Sequence, residues 1–264
     1  MNIGFIGFGN MAKTIANGLI NEEVTQKERV FFSTRTKESR QKTEKEWGIT
    51  GVESNQAVID SADVIILAMK PHQFDEVLQP LTIPKEKLVI SVAAGVTSTK
   101  LEEHLSKNQY FRVMPNLNAQ VQASMTAIVE NKEVDSRQKE VVETLFSAIG
   151  EVVFIPEEQL SVFIALAGSS PAIVFLMIDT LARSAVKYGM SKDTATKIAA
   201  QAVLGSGKTV HESATSPWDL IDQVSSPGGI TVEAILNLMQ SGFSGSLIQA
   251  VDKMVEKDNK LSNN

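Results

Sequence analysis

Hydrophobic and polar positions follow two different periods along the first half of the chain. Short apolar runs, typical of buried strands, alternate with stretches in which apolar residues recur every three or four positions, typical of helices. The predicted strands are 2–6, 30–32, 64–68, 88–92, 111–113, 126–129 and 152–154, and the predicted helices include 11–20, 38–47, 99–105 and 136–149. This alternation predicts an α/β fold with a doubly wound, mostly parallel sheet, whose ligand lies beyond the carboxyl ends of the strands.

After Pro156 the strand pattern stops. Helical periodicity fills 157–188, 192–212, 231–241 and 245–257, with predicted interruptions at 168–171 and 225–229. We therefore expect an α/β domain over 1–156 and an all-α domain over 157–264. The helices of the second domain are apolar over wide faces, which favours burial against another subunit.

A glycine-rich turn follows the first predicted strand. Ile6 ends that strand, and Gly7-Phe8-Gly9-Asn10-Met11-Ala12 leads directly into the helix. Gly7 permits a tight turn, Gly9 lets a pyrophosphate approach the backbone, and Ala12 lets the helix pack closely on the strand. A strand-to-helix turn without a ligand is the alternative, but the flanking strand and helix favour a dinucleotide site, with Ile6 to Met11 around the phosphates.

The end of the second predicted strand indicates which dinucleotide binds. An NAD site carries an acidic residue there for the ribose 2′-hydroxyl, whereas this chain has Ser33-Thr34-Arg35. A hydroxyl and a guanidinium suit a 2′-phosphate, so the sequence predicts NADPH, with NADH possible but weaker. A solvated charge is the alternative interpretation of Arg35.

Three later strand ends offer further candidates. Ala68-Met69-Lys70-Pro71 follows the strand 64–68, and Lys70 is either an ordinary loop cation or a charge beside the cofactor or substrate. Ala93 belongs to a small-residue stretch that could admit a flat ring or could simply form a turn. Asn116 could orient the nicotinamide or the substrate.

The loop 224–232 in the helical half could hold a carboxylate. Gly228 and Gly229 beside a proline can expose backbone N–H groups, and Ser226 and Thr231 add hydroxyls. The alternative is a capped helix with Thr231 as its N-cap.

Composition excludes several classes of function. The formal net charge of −6 and the absence of a basic stripe argue against a nucleic-acid partner. There is no cysteine, and the three histidines have no metal-ligand spacing, so no metal site is indicated. The chain begins on a core strand and no apolar run approaches the roughly 18 residues of a membrane span, so we expect a cytoplasmic protein without a membrane partner.

Taken in order, these segments resemble the pyrroline-5-carboxylate reductase family over essentially the whole chain. The resemblance is carried by the glycine-rich turn at 4–12, Met69-Lys70-Pro71, Met114-Pro115-Asn116, Gly168-Ser169-Ser170-Pro171-Ala172, Ser226-Pro227-Gly228-Gly229 and Thr231. The chain departs from the family pattern at Leu117, Asn118, Ser170, Ile173 and Ile230. These departures bear on substrate specificity and rate more than on fold.

The resemblance implies NADPH-dependent reduction of 1-pyrroline-5-carboxylate to L-proline by a Rossmann domain joined to a helical dimerisation domain, with dimers often gathered into rings. It implies that Asn55 contacts the adenosine ribose. It also implies that Ser226, Gly228 and Gly229 hold the substrate carboxylate while Thr231 approaches the ring nitrogen. Ser226 and Thr231 are thus the predicted catalytic residues.

Two alternatives remain open at this point. One is a reductase of another cyclic imine, or a β-hydroxyacid dehydrogenase, although the latter requires a lysine that the stretch 157–183 lacks. The other is a non-catalytic, cofactor-binding relative with a regulatory role.

Overall fold

A computed structural model describes residues 1–131 and 134–262 of the chain. The chain divides into two compact units, one formed by Met1–Gly168 with Val255–Asn264 and the other by Ser169–Met254. The sequence predicts that the helical domain begins at residue 157, and this domain boundary stays a prediction.

The first unit contains an eight-stranded sheet in the order β3-β2-β1-β4-β5-β6-β7-β8. The strands are β1 (Ile3–Ile6), β2 (Val30–Ser33), β3 (Thr50–Gly51), β4 (Val64–Leu67), β5 (Leu88–Ser91), β6 (Gln109–Met114), β7 (Ser124–Val129) and β8 (Gly150–Ile155). Neighbouring strands are parallel except β6 and β7. All seven predicted strands are present, and the strand order reverses between β1 and β4, where a doubly wound sheet opens a crevice for ligands.

Helices cover both faces of this sheet. Those of the first unit are α1 (Asn10–Asn21), α2 (Lys37–Trp47), α3 (Asn55–Ser61), α4 (Phe74–Leu78), α5 (Ser98–Leu105), α6 (Ser136–Ser147) and α7 (Leu160–Phe163). One apolar cluster packs α1 and α6 on one face, and a second packs α3, α4 and α5 on the other. Strands β1, β4 and β5 are buried along their whole length, as a parallel sheet covered on both faces requires.

The second unit is helical, as predicted. It contains α8 (Ser170–Val186), α9 (Lys192–Glu212), α10 (Pro217–Val224), α11 (Ile230–Gln240) and most of α12 (Phe243–Ser262). Its buried residues are confined to Pro171, Ala182, Ala195 and Ala199 among those described. Large apolar side chains such as Phe175, Leu176, Leu204, Trp218 and Ile248 are exposed. One copy of this unit therefore provides no hydrophobic core of its own.

The predicted interruption at 168–171 is wrong. The backbone stays helical from Leu160 to Val186, with a wider π-helical turn over Ile164–Ser169 between α7 and α8. By length and composition alone, the helical stretch Glu157–Val186 could cross a membrane, so the expectation that no stretch qualifies is also wrong. Core helices of soluble proteins pass the same test.

Candidate dinucleotide and substrate sites

A cavity of about 560 Å³ opens at the carboxyl ends of β1, β2 and β4. It brings together ten predicted cofactor residues, which are Ile6, Gly7, Phe8, Gly9, Ser33, Arg35, Asn55, Ala68, Met69 and Lys70. The other four are absent from its described lining: Asn10 and Met11 begin α1, Pro71 begins a 3₁₀ turn, and Ala93 is buried beyond β5. The cavity thus lies where the glycine-rich turn and the switch point of the sheet predict it.

The two glycines of the turn are required for different reasons. Gly7 has a φ of +86°, and a Cβ there would lie 3.1 Å from the backbone of Ala68 and Met69. Gly9 is the N-cap of α1 in an extended conformation, and a Cβ there would meet no described atom within 4 Å. Since Gly9 lines the cavity, its missing side chain leaves the backbone open to a ligand. This is the cradle that a pyrophosphate needs.

A buried hydroxyl connects the last residue of β2 to the first residue of α3. The Ser33 hydroxyl donates to Oδ1 of Asn55 at 2.7 Å, and Ser33 is buried at the last position of β2. Because this bond uses the amide oxygen, the NH₂ group is what Asn55 offers to a ligand. Asn55 is held at the first position of α3, where the Ser54 hydroxyl accepts from the backbone N–H of Ala57 at 3.1 Å.

Charges of both signs surround the cavity. Arg35 and Lys70 are exposed cations, and Glu53 and Glu76 are exposed carboxylates. Glu53 lies 3.5 Å from the guanidinium of Arg40, which offsets its charge. Sequence reasoning missed Thr34, Glu53, Ser54, Gln73, Glu76 and Val77 as lining residues. Most of them follow β3 or the 3₁₀ turn Pro71–Gln73, elements too short to produce a period in the sequence.

The predicted substrate loop lies between α10 and α11 in the second unit. Gly228 has a φ of +70°, and a Cβ on Gly229 would lie 2.9 Å from the Ser226 carbonyl oxygen, so glycine is required at both positions. Helix α11 begins at Ile230 with Gly229 as its N-cap. The alternative interpretation of Thr231 as the N-cap is therefore wrong, because Thr231 already lies inside the first turn. The Gly229 N–H donates to the Ser226 carbonyl at 2.9 Å. The opening residues of α11 have no intrahelical partner for their N–H groups, and Thr231 adds its hydroxyl to them.

Asn116 follows β6 and is bound on all sides within its own chain. It is 6% exposed, its Oδ1 accepts from the Asn118 N–H at 3.1 Å, and its Nδ2 donates to the Ala167 carbonyl at 2.8 Å. Its backbone N–H donates to the Ser124 hydroxyl at 3.1 Å. Direct contact of Asn116 with the nicotinamide or the substrate stays a prediction. The hydrogen-bond partners of Asn116 indicate that it also has a structural role.

Glu157 forms an ion pair with Arg112, which is almost completely buried in β6, and also accepts from the backbone N–H of Ser98 at 2.9 Å. Burial raises the pKa of Glu157, but the hydrogen bonds from Ser98 and the charge of Arg112 outweigh it. The pKa of this carboxyl therefore lies below its ordinary value.

Comparison with known proteins gives concordant results. Residues 157–261 match the family model for pyrroline-5-carboxylate reductase dimerisation, and residues 2–95 match the model for NADP oxidoreductase, coenzyme F420-dependent. The chain is 40% identical to pyrroline-5-carboxylate reductase of Escherichia coli over 263 residues, covering 98% of both chains. It is 36% identical to that of Aquifex aeolicus, covering 99% of this chain and 97% of the relative.

The chain belongs to the pyrroline-5-carboxylate reductase family.

Solved structures of the family agree over the whole chain. The Coxiella burnetii reductase matches with a TM-score of 0.90 at 34% identity and 98% coverage of both chains. The Plasmodium falciparum reductase, solved with NADP bound, matches with a TM-score of 0.87 at 30% identity, covering 99% of this chain and 98% of the other. Prephenate dehydrogenase from Aquifex aeolicus, at 17% identity and a TM-score of 0.55, shares the fold alone.

Proposed function

We propose that this protein reduces 1-pyrroline-5-carboxylate to L-proline with NADPH. The observation that carries the proposal is the cavity at the β1/β4 switch point, built from the residues that the glycine-rich turn predicts, in a chain 40% identical to the Escherichia coli reductase. Dinucleotides bind at this point in doubly wound sheets.

The described residues fit NADPH. The open backbone of Gly9 and the N-terminus of α1 suit the pyrophosphate, the NH₂ group of Asn55 suits the adenosine ribose, and Arg35 suits the 2′-phosphate. Lys70, Met69 and Ala68 line the cavity after β4, toward the nicotinamide half. When bound, NADPH supplies the hydride.

The substrate needs little further chemistry from the protein. The C=N carbon of a protonated imine is already electrophilic, so holding it in the correct orientation provides much of the acceleration. We assign the carboxylate to the loop 226–229, with the Ser226 hydroxyl and the Gly228 N–H as donors. The Gly229 N–H already donates to the Ser226 carbonyl at 2.9 Å, so the part of Gly229 is to leave the backbone open. We assign to Thr231, at the second position of α11, a hydrogen bond in which its hydroxyl oxygen accepts from the N–H of the protonated ring nitrogen. The nitrogen of the protonated imine already carries its proton, so addition of hydride at the carbon gives the secondary amine directly.

The test is NADPH oxidation by the purified protein with 1-pyrroline-5-carboxylate, with proline measured as product. A six-membered cyclic imine carboxylate serves as the control substrate and should react more slowly. Oxidation of NADPH without proline, or a preference for the larger ring, would overturn the assignment. The Thr231→Ser variant should keep most of the activity, because it keeps the hydroxyl.

The protein acts as an oligomer. The second unit exposes large apolar side chains and has no core of its own within one chain, and the matching family model is one of dimerisation. We propose a homodimer that assembles further into a ring in the cytoplasm, without nucleic-acid or membrane partners. Light scattering at micromolar concentration should give a mass of two chains or more, and a monomeric mass would contradict the proposal.

A further inference from the structure

The π-helical turn before α8 has a cause in the sequence. In a regular α-helix the carbonyl of Ala167 would accept from the N–H of residue 171, which is Pro171 and has no N–H. The proline ring also clashes with the carbonyl four residues earlier, which is again Ala167. The helix widens over Ile164–Ser169, and Ala167 is buried within this π-helical turn.

Asn116 provides a side-chain donor to the Ala167 carbonyl. Its Nδ2 lies 2.8 Å from the Ala167 carbonyl oxygen, and both residues are more than nine-tenths buried. The amide is oriented by the Asn118 N–H on its oxygen, and its backbone is held by Ser124, whose hydroxyl lies 3.1 Å from that of Thr126. A chain of buried polar groups therefore runs from β7 to the carbonyl that Pro171 leaves without its helical partner.

This contact lies at the edge of the sheet where the cofactor cavity opens. Asn116 follows the carboxyl end of β6, and β6 is parallel to β5, β4 and β1. Ala167 is the second-last residue of the first compact unit before the chain enters the second at Ser169. Asn116 thus holds the backbone of the first unit at Ala167, shortly before the chain enters the unit that carries Ser226 and Thr231.

We propose that Asn116 is a positioning residue that acts on the reaction through Ala167 and the π-helical turn. Its bond to Ala167 holds the backbone from which α8 starts, and α8 leads to the residues assigned to the substrate. The inference rests on the proposed function, because it concerns the rate of that reaction. Loss of the bond should lower the population of the competent arrangement, and kcat with it, while NADPH affinity is unchanged.

The decisive experiment combines Asn116→Ala with Pro171→Ala. The second substitution restores an N–H at residue 171, which can satisfy the Ala167 carbonyl within the helix. In the native background Asn116→Ala should lower kcat by at least about fivefold, the lower end of what an unpaired buried carbonyl costs. In the Pro171→Ala background the same substitution should cost at most about twofold. Loss of the Asn118 bond is common to both backgrounds and cancels.

Asn108→Ala is the matched control. Its Nδ2 also donates to a backbone carbonyl, that of Pro84, at 2.8 Å, but it lies before β6 at the opposite edge of the sheet. It should lower thermal stability and leave kcat within about twofold. An equal loss of kcat from Asn116→Ala in both backgrounds, or a parallel loss of NADPH affinity, would overturn the proposal in favour of direct ligand contact.

The native protein, the two single variants at positions 116 and 171 and the double variant test the role of the Asn116–Ala167 contact separately from the proposed function. If the native protein forms no proline, the function fails, but thermal unfolding still measures the coupling between positions 116 and 171. If Asn116 supports the Ala167 carbonyl, the double variant should lose less free energy of unfolding than the sum of the losses in the two single variants. Additive losses in the free energy of unfolding would overturn the role of the Asn116–Ala167 contact, whatever the activity. If Asn116→Ala alone does not fold, recovery of folding in the double variant gives the same answer.

Discussion

Arg35→Ala should separate NADPH from NADH. Arg35 is exposed, lies two residues beyond the end of β2 and lines the cavity beside Ser33 and Asn55. A hydrogen bond to a charged group contributes about 1.5–3 kcal/mol, and exposure to solvent places Arg35 in the lower part of this range. We therefore expect NADPH affinity to fall about 10- to 30-fold, while NADH affinity changes less than about twofold.

The assay is titration of each cofactor by fluorescence, at low and at high salt. The loss for NADPH should shrink as salt rises, because screening weakens the native contact more than the variant. Lys37→Ala is the control, since Lys37 is an exposed cation at the start of α2 and is not among the described residues that line the cavity. Equal losses for both cofactors, or an equal loss in the control, would refute the 2′-phosphate assignment.

Four further substitutions test other parts of the account. Gly9→Ala should keep the melting temperature of the native protein but weaken NADPH binding. Gly7→Ala should weaken NADPH binding and also destabilise the protein by about 1–2 kcal/mol, because the φ of Gly7 is +86°. Equal melting temperatures for the two variants would contradict this. Thr231→Ala should lower kcat/KM by roughly 5- to 150-fold with little change in melting temperature, since Gly229 is the cap; a lower melting temperature with normal turnover would be inconsistent. Glu157→Gln should destabilise by about 1–2 kcal/mol at pH 7, and because the folded pKa is depressed, the difference should shrink as pH falls below about 4. A difference in urea unfolding that persists at low pH would contradict the ion pair.

Much of the fold was predictable because long buried elements produce strong periods. The core strands of the parallel sheet are uninterrupted apolar runs, and the cavity follows from where those runs end. Strand β3 has two residues and α4 has five, which is too short for a period to be recognised, so the sequence did not predict them. Because β3 and α4 were not predicted, Glu53 and Val77, which lie after β3 and in α4, were missed in the cavity lining.

The alternative interpretation of Thr231 as an N-cap and the predicted interruption at 168–171 fail for physical reasons. Hydroxyl residues are favoured as N-caps, but the positive φ of Gly228 closes the turn early and starts α11 before Thr231. A proline inside a helical pattern predicts a break at 168–171, yet the backbone stays helical through a π-helical turn, where the Asn116 amide donates to the Ala167 carbonyl. That donor comes from a residue 51 positions away, which no local pattern reports.

Transfer of hydride to the substrate tests the central claim most directly. NADPH carrying deuterium on the transferred position of C4, mixed with 1-pyrroline-5-carboxylate and the native protein, should give proline with one deuterium, bound to the carbon that was double-bonded to nitrogen. Mass spectrometry and NMR locate the label, and one NADP⁺ should form for each labelled proline. Unlabelled proline, or oxidation of the cofactor without labelled proline, would show that the protein does not transfer hydride from this cofactor to this imine.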